Sequence, residues 1–326
     1  MPIFMICSTL LAVIVVAYYI LKYNLIFVFF FQILSLFILS LGIFYTFTQA
    51  KNLEQEQNTS SNLVSVSIAP QAFFVKKIAA NTLDINVILP PNSNEHNFEF
   101  KPSTMKKLEK SDIYFTIGLE FEKVFTDKFK QNFPKLQVVN MQKNIALIQT
   151  HDTHEHSHEH EHHEHEHFDP HTWLDPILVQ TMALNIYDTL IQKYPQNENL
   201  YKENLDKFLA ELDSLNLQIA SKLEKLKNRE FVVYHPSWTY FAKRYNLTQI
   251  PVEILGKEPK SKDLQKLITL MKNKNLKVIF VQNGFPENAA KTLAKECDAK
   301  IYKIDHLSYD WENELLKTAD AFSHNL

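Results

Sequence analysis

The sequence predicts an α/β protein of two lobes, each built on a parallel sheet, joined by one long helix. From Leu63 onward, short apolar runs alternate with amphipathic segments, the pattern of βαβ units. After Phe231 the same style repeats. Between the halves, Asn199–Lys227 sets Leu205, Phe208, Leu212, Leu215, Ile219 and Leu223 at helical spacing. A helix of about 29 residues reaches about 43 Å, enough to span two lobes and restrict their hinge motion. Four glycines in the whole chain leave few flexible hinges, which points the same way.

In order, Val64–Ala69 reads as a strand, Gln71–Ala80 as a helix and Ile85–Leu89 as a strand. Ser103–Lys110 reads as a helix with Ser103 as its cap, Ile113–Ile117 as a strand, Glu120–Asn132 as a helix and Leu136–Val139 as a strand. Asp175–Lys193 is a helix broken at Pro195, followed by the long one. Phe231–Tyr234, Val278–Val281 and Ile301–Ile304 read as strands, and Ser237–Tyr245, Lys262–Lys272 and Pro286–Glu296 as helices, with another starting near Asp310. The organisation is therefore an N-terminal lobe over 63–174, linking helices over 175–228 and a C-terminal lobe over 229–326.

The first fifty residues differ in kind. Lys22 is the only charge before Lys51, and each half of the segment is long enough to cross a bilayer. Residues 1–50 read either as a two-span anchor or as a secretory signal ending at Thr48-Gln49-Ala50. The signal reading is preferred because the chain beyond Ala50 has the style of a soluble exported domain. Cys7 has no lipobox before it. Residues 51–62 are polar and lack periodicity, and read as a flexible tether. Both readings place the body outside the cytoplasm; the expectation is a periplasmic protein, anchored by the apolar segment if that is not removed.

The chain has 326 residues, room for two sizeable cores, and a net charge of −3. No long basic run is present, so nucleic acid is excluded as a partner on electrostatic grounds. Two cysteines, Cys7 and Cys297, make neither a disulfide framework nor a cysteine zinc motif. A transition metal here must be held by histidine and carboxylate.

His151–His167 holds nine histidines and six carboxylates with no apolar residue. The histidines are His151, His154, His156, His158, His160, His162, His163, His165 and His167. Such a run cannot bury itself; it offers many weak, shifting metal sites. It reads as a collector that raises local metal, or a sensor of excess, rather than the tight site, because a mobile loop loses ordering entropy on every capture. The bland reading is a solvated low-complexity loop.

Outside the run, His96, His235 and His306 each follow a strand, and His171 lies in the loop Asp-Pro-His-Thr-Trp-Leu-Asp-Pro. Loops beyond the carboxyl ends of parallel strands form the ligand crevice. The fold thus gathers His96, His235 and Asp305 or His306 around one interlobe cleft. Neutral imidazole and carboxylate suit four-coordinate Zn(II). One at a time, a histidine after a strand is more often a polar loop residue, Asp305 would equally cap a helix near Asp310, and Phe168 and Trp173 read as packing residues.

At this point the chain resembles a known family. VSIAPQAFFVKKIAANTLDINVILPPNSNEHNFEFKPS, SDIYFTIGLEFEKVF, DPHTWLDP after an acidic His-rich loop, FVVYHPSWTYFAKRYNL, GKEPKSKDLQKLI and IYKID stand in the order of the zinc-binding receptors (ZnuA type) of bacterial metal ABC transporters, in the TroA-like cluster. The resemblance implies two Rossmann-like lobes with parallel sheets, a long rigid helix between them and the metal in the interlobe cleft. It implies His96, His171 and His235 as ligands, Asp305 at the family's C-terminal acidic position, and Glu95 as a contributor beside the first histidine. It also implies Zn(II) as cargo, an ABC permease as partner, and a binding protein, expected as a monomer, with no chemical step.

Three departures stand out. Asp305-His306-Leu307-Ser308 replaces the usual Asp-Pro-Leu-Gly, and the segment after it is short, so Asp305, His306, Glu95 or water fills the fourth position. Gln282 stands where the family carries an acidic residue, and the disulfide of some relatives is absent. Alternatives are a zinc metalloenzyme whose three histidines activate water with Glu95 as base, a membrane-tethered metal buffer, or Mn(II) as the metal, which prefers more oxygen ligands.

Overall fold

The structure, a computed structural model, describes residues 3–57, 62–150, 167–254 and 256–326. It divides into two compact units, 1–60 and 61–326. The first is one helix, α1 (Ile3–Gln57). Lys51–Gln57, expected within a flexible tether, continues α1 instead. Its described side chains from Val13 to Tyr45 are exposed all round. Ser40 and Thr46 turn their hydroxyls back onto the carbonyls of Phe37 and Ile43, each at 2.8 Å. Among the described residues no helix is long and apolar enough to cross a membrane.

The second unit carries two parallel four-stranded sheets. The N-terminal lobe runs β1 (Leu63–Val66), α2 (Ala69–Ala79), β2 (Asp84–Val87), α3 (Pro102–Glu109), β3 (Ile113–Thr116), α4 (Glu120–Asn132) and β4 (Gln137–Asn140), with sheet order β2-β1-β3-β4. Two helices link the lobes, α5 (Pro176–Lys193) and α6 (Glu198–Leu223). The C-terminal lobe runs β5 (Glu230–Val233), α7 (Thr239–Arg244), β6 (Thr248–Pro251), α8 (Ser261–Asn273), β7 (Val278–Gln282), α9 (Asn288–Cys297), β8 (Lys300–Ile304) and α10 (Trp311–Asn325), with order β6-β5-β7-β8. Every strand pairing in both sheets is parallel.

The inner strands are apolar because both faces are covered: β3 and β7 are buried along their whole length. α6 turns Tyr201, Leu205, Phe208, Leu212, Leu215, Ile219 and Leu223 inward. One hydrophobic core runs without a break from Val64 and Phe115, through α5 and α6, to Phe231, Trp238 and Phe322. A smaller core around Met271, Ile279 and Leu293 fills the other face of the second sheet. Trp311 of α10 meets Phe74 of α2 edge to face, with ring centroids 5.0 Å apart, so the lobes share side-chain packing directly. Lys77 of α2 bridges Glu211 of α6 at 2.6 Å and Glu312 of α10 at 3.1 Å.

Two element boundaries and one strand differ from expectation for identifiable reasons. Pro102, not Ser103, opens α3: Lys101 holds the N-cap position and proline takes the first helical residue, where its missing N–H is no loss. α6 ends at Leu223 rather than Lys227, where the Arg229 guanidinium donates to the carbonyls of Leu223 (3.4 Å) and Glu224 (3.0 Å). β6 was not legible. It is a sheet edge that ends on Pro251, where a residue without an N–H is tolerated.

Candidate metal centre

Glu95 and His96 ride on a short 3₁₀ turn after β2, opened by Asn94, whose Oδ1 accepts the His96 N–H at 2.8 Å. Pro90 and Pro91 stiffen the chain just before it. His171 sits before α5. Asp175 caps that helix, accepting the Ile177 N–H at 2.9 Å, with Pro176 as its first residue. Arg244 of α7 donates to both Asp175 oxygens at 3.0 Å, fastening this loop to the C-terminal lobe. His235 follows β5 and His306 follows β8. Each of these last two stands beyond the carboxyl end of a parallel strand, where such sheets place their ligands.

Four ligand atoms converge, from Glu95, His171, His235 and His306, all within 4.8 Å of one another and all on buried residues. Glu95 Oε1 lies 2.9 Å from His306 Nε2, 3.3 Å from His235 Nε2 and 3.6 Å from His171 Nε2. The Nε2 atoms of His171 and His235 are 3.2 Å apart. In a tetrahedron with bonds of about 2.0–2.1 Å, neighbouring ligand atoms lie roughly 3.3 Å apart. The cluster has the dimensions of a zinc-sized cage.

His96 is exposed at its edge, its ring centroid 4.8 Å from that of His235, and it groups with His235 and Glu253 rather than with the inner four. Asp305 lies outside both groups. Its Oδ1 accepts the Leu307 N–H at 3.0 Å, and its own N–H donates to Glu314 at 2.9 Å, so it shapes the turn that presents His306. Of the histidine run, only His167 is described, where its carbonyl accepts the Thr150 N–H at 2.8 Å; the other eight histidines lie outside the described residues.

The imidazoles are oriented from behind. Asp169 Oδ1 stands 2.7 Å from His171 Nδ1 and also accepts the His171 N–H at 2.9 Å. Glu253 Oε1 stands 2.6 Å from His235 Nδ1. Both pairs leave Nε2 facing the cluster, the arrangement that fixes tautomer and ring orientation in histidine metal sites. Gln282 grips the main chain of His235 at both ends, accepting its N–H at 3.1 Å and donating to its carbonyl at 2.6 Å. Trp173 Nε1 donates to the His306 carbonyl at 2.7 Å, and Trp311 Nε1 to the Trp173 carbonyl at 2.8 Å. Trp173 is thus a packing residue that also holds a loop.

Asp169 was legible in principle, two residues before His171. Glu253 was not, because it arrives through the unrecognised edge strand β6.

Burial disfavours charge on every group here, and the neighbouring charges decide whether it prevails. Burial pushes the Glu95 carboxyl up, but His306, His171 and His235 around it prevail and hold it well below the usual range. Burial lowers His171, but Asp169 and Glu95 prevail and raise it to about 9. His235 is raised against its burial by Glu253 and Glu95. His306 goes the other way: burial together with the neighbouring imidazoles outweighs Glu95 and lowers it. Glu95 Oε2 and His306 Nδ1 are buried without a hydrogen-bond partner among the described residues.

Two parallel-sheet lobes on one continuous core, with a buried cage of three imidazoles and a carboxylate between them, define a two-lobed metal-binding protein. The chain belongs to the family described as zinc-uptake complex component A, periplasmic (ZnuA), whose match covers residues 64–323. It is 30% identical over 271 residues to the high-affinity zinc uptake system protein ZnuA of Bacillus subtilis, covering 81% of this chain and 85% of that one. It is 28% identical over 304 residues to the zinc-binding protein AdcA of Streptococcus pyogenes, covering 89% of this chain but spanning only 58% of that longer protein. A crystal structure of a ZnuA deletion mutant with zinc bound superposes at a TM-score of 0.74 with 33% identity, covering 81% of this chain and 97% of that one.

Proposed function

We propose that this chain is an extracytoplasmic receptor that captures Zn(II) with high affinity and hands it to the membrane permease of an ABC uptake system. The observation that carries this reading is the convergence of Glu95, His171, His235 and His306 in one buried cage. Three imidazoles with one carboxylate favour Zn(II) over Mn(II), which takes more oxygen ligands. His96, exposed beside His235, is the first imidazole an entering cation meets. Asp305 holds the turn that carries His306 and does not itself ligate.

The receptor reading needs no reaction. Four protein donors fill a tetrahedral site and leave no position for an activated water, which weighs against the metalloenzyme. The family is one of uptake components rather than enzymes. The shared core supports release through movement of loops rather than wide lobe closure. We place the body in the periplasm, working as a monomer, with the apolar segment 1–50 as its export signal or anchor.

Calorimetric titration of residues 51–326 with zinc, with and without 151–167, tests the reading. One tight site that survives the deletion is the expected result. Tight binding lost with the run would make the chain a histidine-loop buffer. Measurable hydrolysis by the loaded protein would restore the enzyme.

A further inference from the structure

Two residues of the turn after β7, Gly284 and Phe285, neither of them a candidate ligand, close on the cage from the C-terminal lobe. Phe285 is buried and lies face to face on His235, with centroids 4.6 Å apart and planes 13° off parallel. The same ring stands 6.0 Å from His306 and 6.4 Å from His96. One side chain therefore covers an inner imidazole and borders both the last ligand and the histidine at the mouth. Such a cover keeps water from one face of His235 and prevents its ring from turning. It also lowers the local dielectric, which strengthens every charge interaction in the cage.

The residue before it makes the approach feasible. Gly284 has φ +84°, and a Cβ there would lie 3.0 Å from the carbonyl oxygens of Asn92 and Ser93 and 3.1 Å from the Ser93 carbonyl carbon. Those are backbone atoms of the other lobe, in the stiff segment that leads into Glu95 and His96, and they cannot swing aside like the end of a side chain. Only glycine combines that φ with that contact.

We infer that the Asn283–Phe285 turn is a positioning element that seals the cargo site, Gly284 seating the Glu95–His96 loop against the C-terminal lobe while Phe285 covers His235. This rests on the cleft being the zinc site, as proposed above. Adding a methyl at 284 would prop the loop outward and carry Glu95 away from the three imidazoles. Removing the ring at 285 would open the cage to water.

The control lies in the same chain. Gly256 also has a positive φ, +69°, but nothing stands within 4 Å of where its Cβ would be. Gly256→Ala carries the backbone strain alone, whereas Gly284→Ala carries strain and contact together. The experiment uses the full chain loaded with zinc, with release into excess chelator followed by stopped flow, and with the visible spectrum of the cobalt(II)-loaded protein read in parallel. Gly284→Ala should release zinc about tenfold faster or more and shift the cobalt bands, while Gly256→Ala leaves both unchanged.

Phe285→Leu keeps apolar volume but loses the stack, and should also speed release and shift the bands. It decides the matter if Gly284→Ala does not fold. Tight wild-type binding with Gly284→Ala indistinguishable from Gly256→Ala, or with Phe285→Leu unchanged in both readouts, overturns this inference alone. A wild-type protein without tight binding overturns the cleft reading and this inference together.

Discussion

Glu95 and His306 stand 211 positions apart in the chain and 2.9 Å apart in space, a carboxylate of the first lobe against an imidazole of the second. On the proposed reading, His306 rather than Asp305 takes the fourth corner of the cage. His306→Ala should weaken zinc binding by about a hundredfold or more by calorimetry, the order expected when a ligand is lost from a closed site. Asp305→Ala should cost far less, since its carboxylate serves the Leu307 N–H. The reverse order would return the position to Asp305.

The carboxylates behind the imidazoles supply a second expectation. Asp169→Asn and Glu253→Gln each remove the acceptor at a ligand's Nδ1. Each should lower zinc affinity by about 10- to 100-fold without abolishing it. Competition against a chromophoric chelator measures this directly, and affinities equal to wild type would reduce both carboxylates to bystanders.

Proton release follows from His171, held protonated up to about 9 by Asp169 and Glu95 against its burial. Zinc needs the neutral ring, so affinity should rise with pH up to about 9 and fall below it. At pH 7, titrations in buffers of different ionisation enthalpy should show roughly one proton or more released per zinc. For the metal-free fold the sign is the opposite. A histidine raised above its unfolded value contributes stability that is fully present below about 6.5 and lost as pH climbs through about 9. The metal-free protein should therefore melt lower at pH 9 than at pH 6.5, and a higher melting point at pH 9 would contradict this.

Gln282 offers a test with a nearly isosteric change. Gln282→Glu keeps an acceptor for the His235 N–H but loses the donor to the His235 carbonyl and to Ser237 Oγ. It also buries an anion or forces it to stay protonated. Denaturant unfolding should show a loss of about 1–3 kcal/mol, with weaker zinc binding beside it. Unchanged stability would mean that the carboxylate common in the family serves here as well.

Trp173→Phe removes the indole N–H that holds the His306 carbonyl while keeping an aromatic ring. A buried carbonyl left unpaired costs about 1–3 kcal/mol. The melting point of the metal-free protein should drop, and zinc should leave faster as the His306 loop loosens. Stability equal to wild type would show that Trp173 acts by packing alone.

The sequence by itself determined the fold class, nearly every helix and strand, and which histidines to watch, because periodicity and strand-end position are local properties of the chain. It separated the ordinary histidines from the low-complexity run on composition alone. Tertiary structure decided who meets whom. Glu95 turns inward and His96 outward, although they are neighbours in sequence, because a 3₁₀ turn points successive side chains in different directions. His306 enters the cage while Asp305 binds its own turn. Glu253, Gln282, Gly284 and Phe285 reach the site only because two parallel sheets bring their carboxyl ends to one cleft. A one-dimensional pattern encodes which face of an element is apolar, but the 3 Å distances that make a cage are set by packing between segments far apart in the chain.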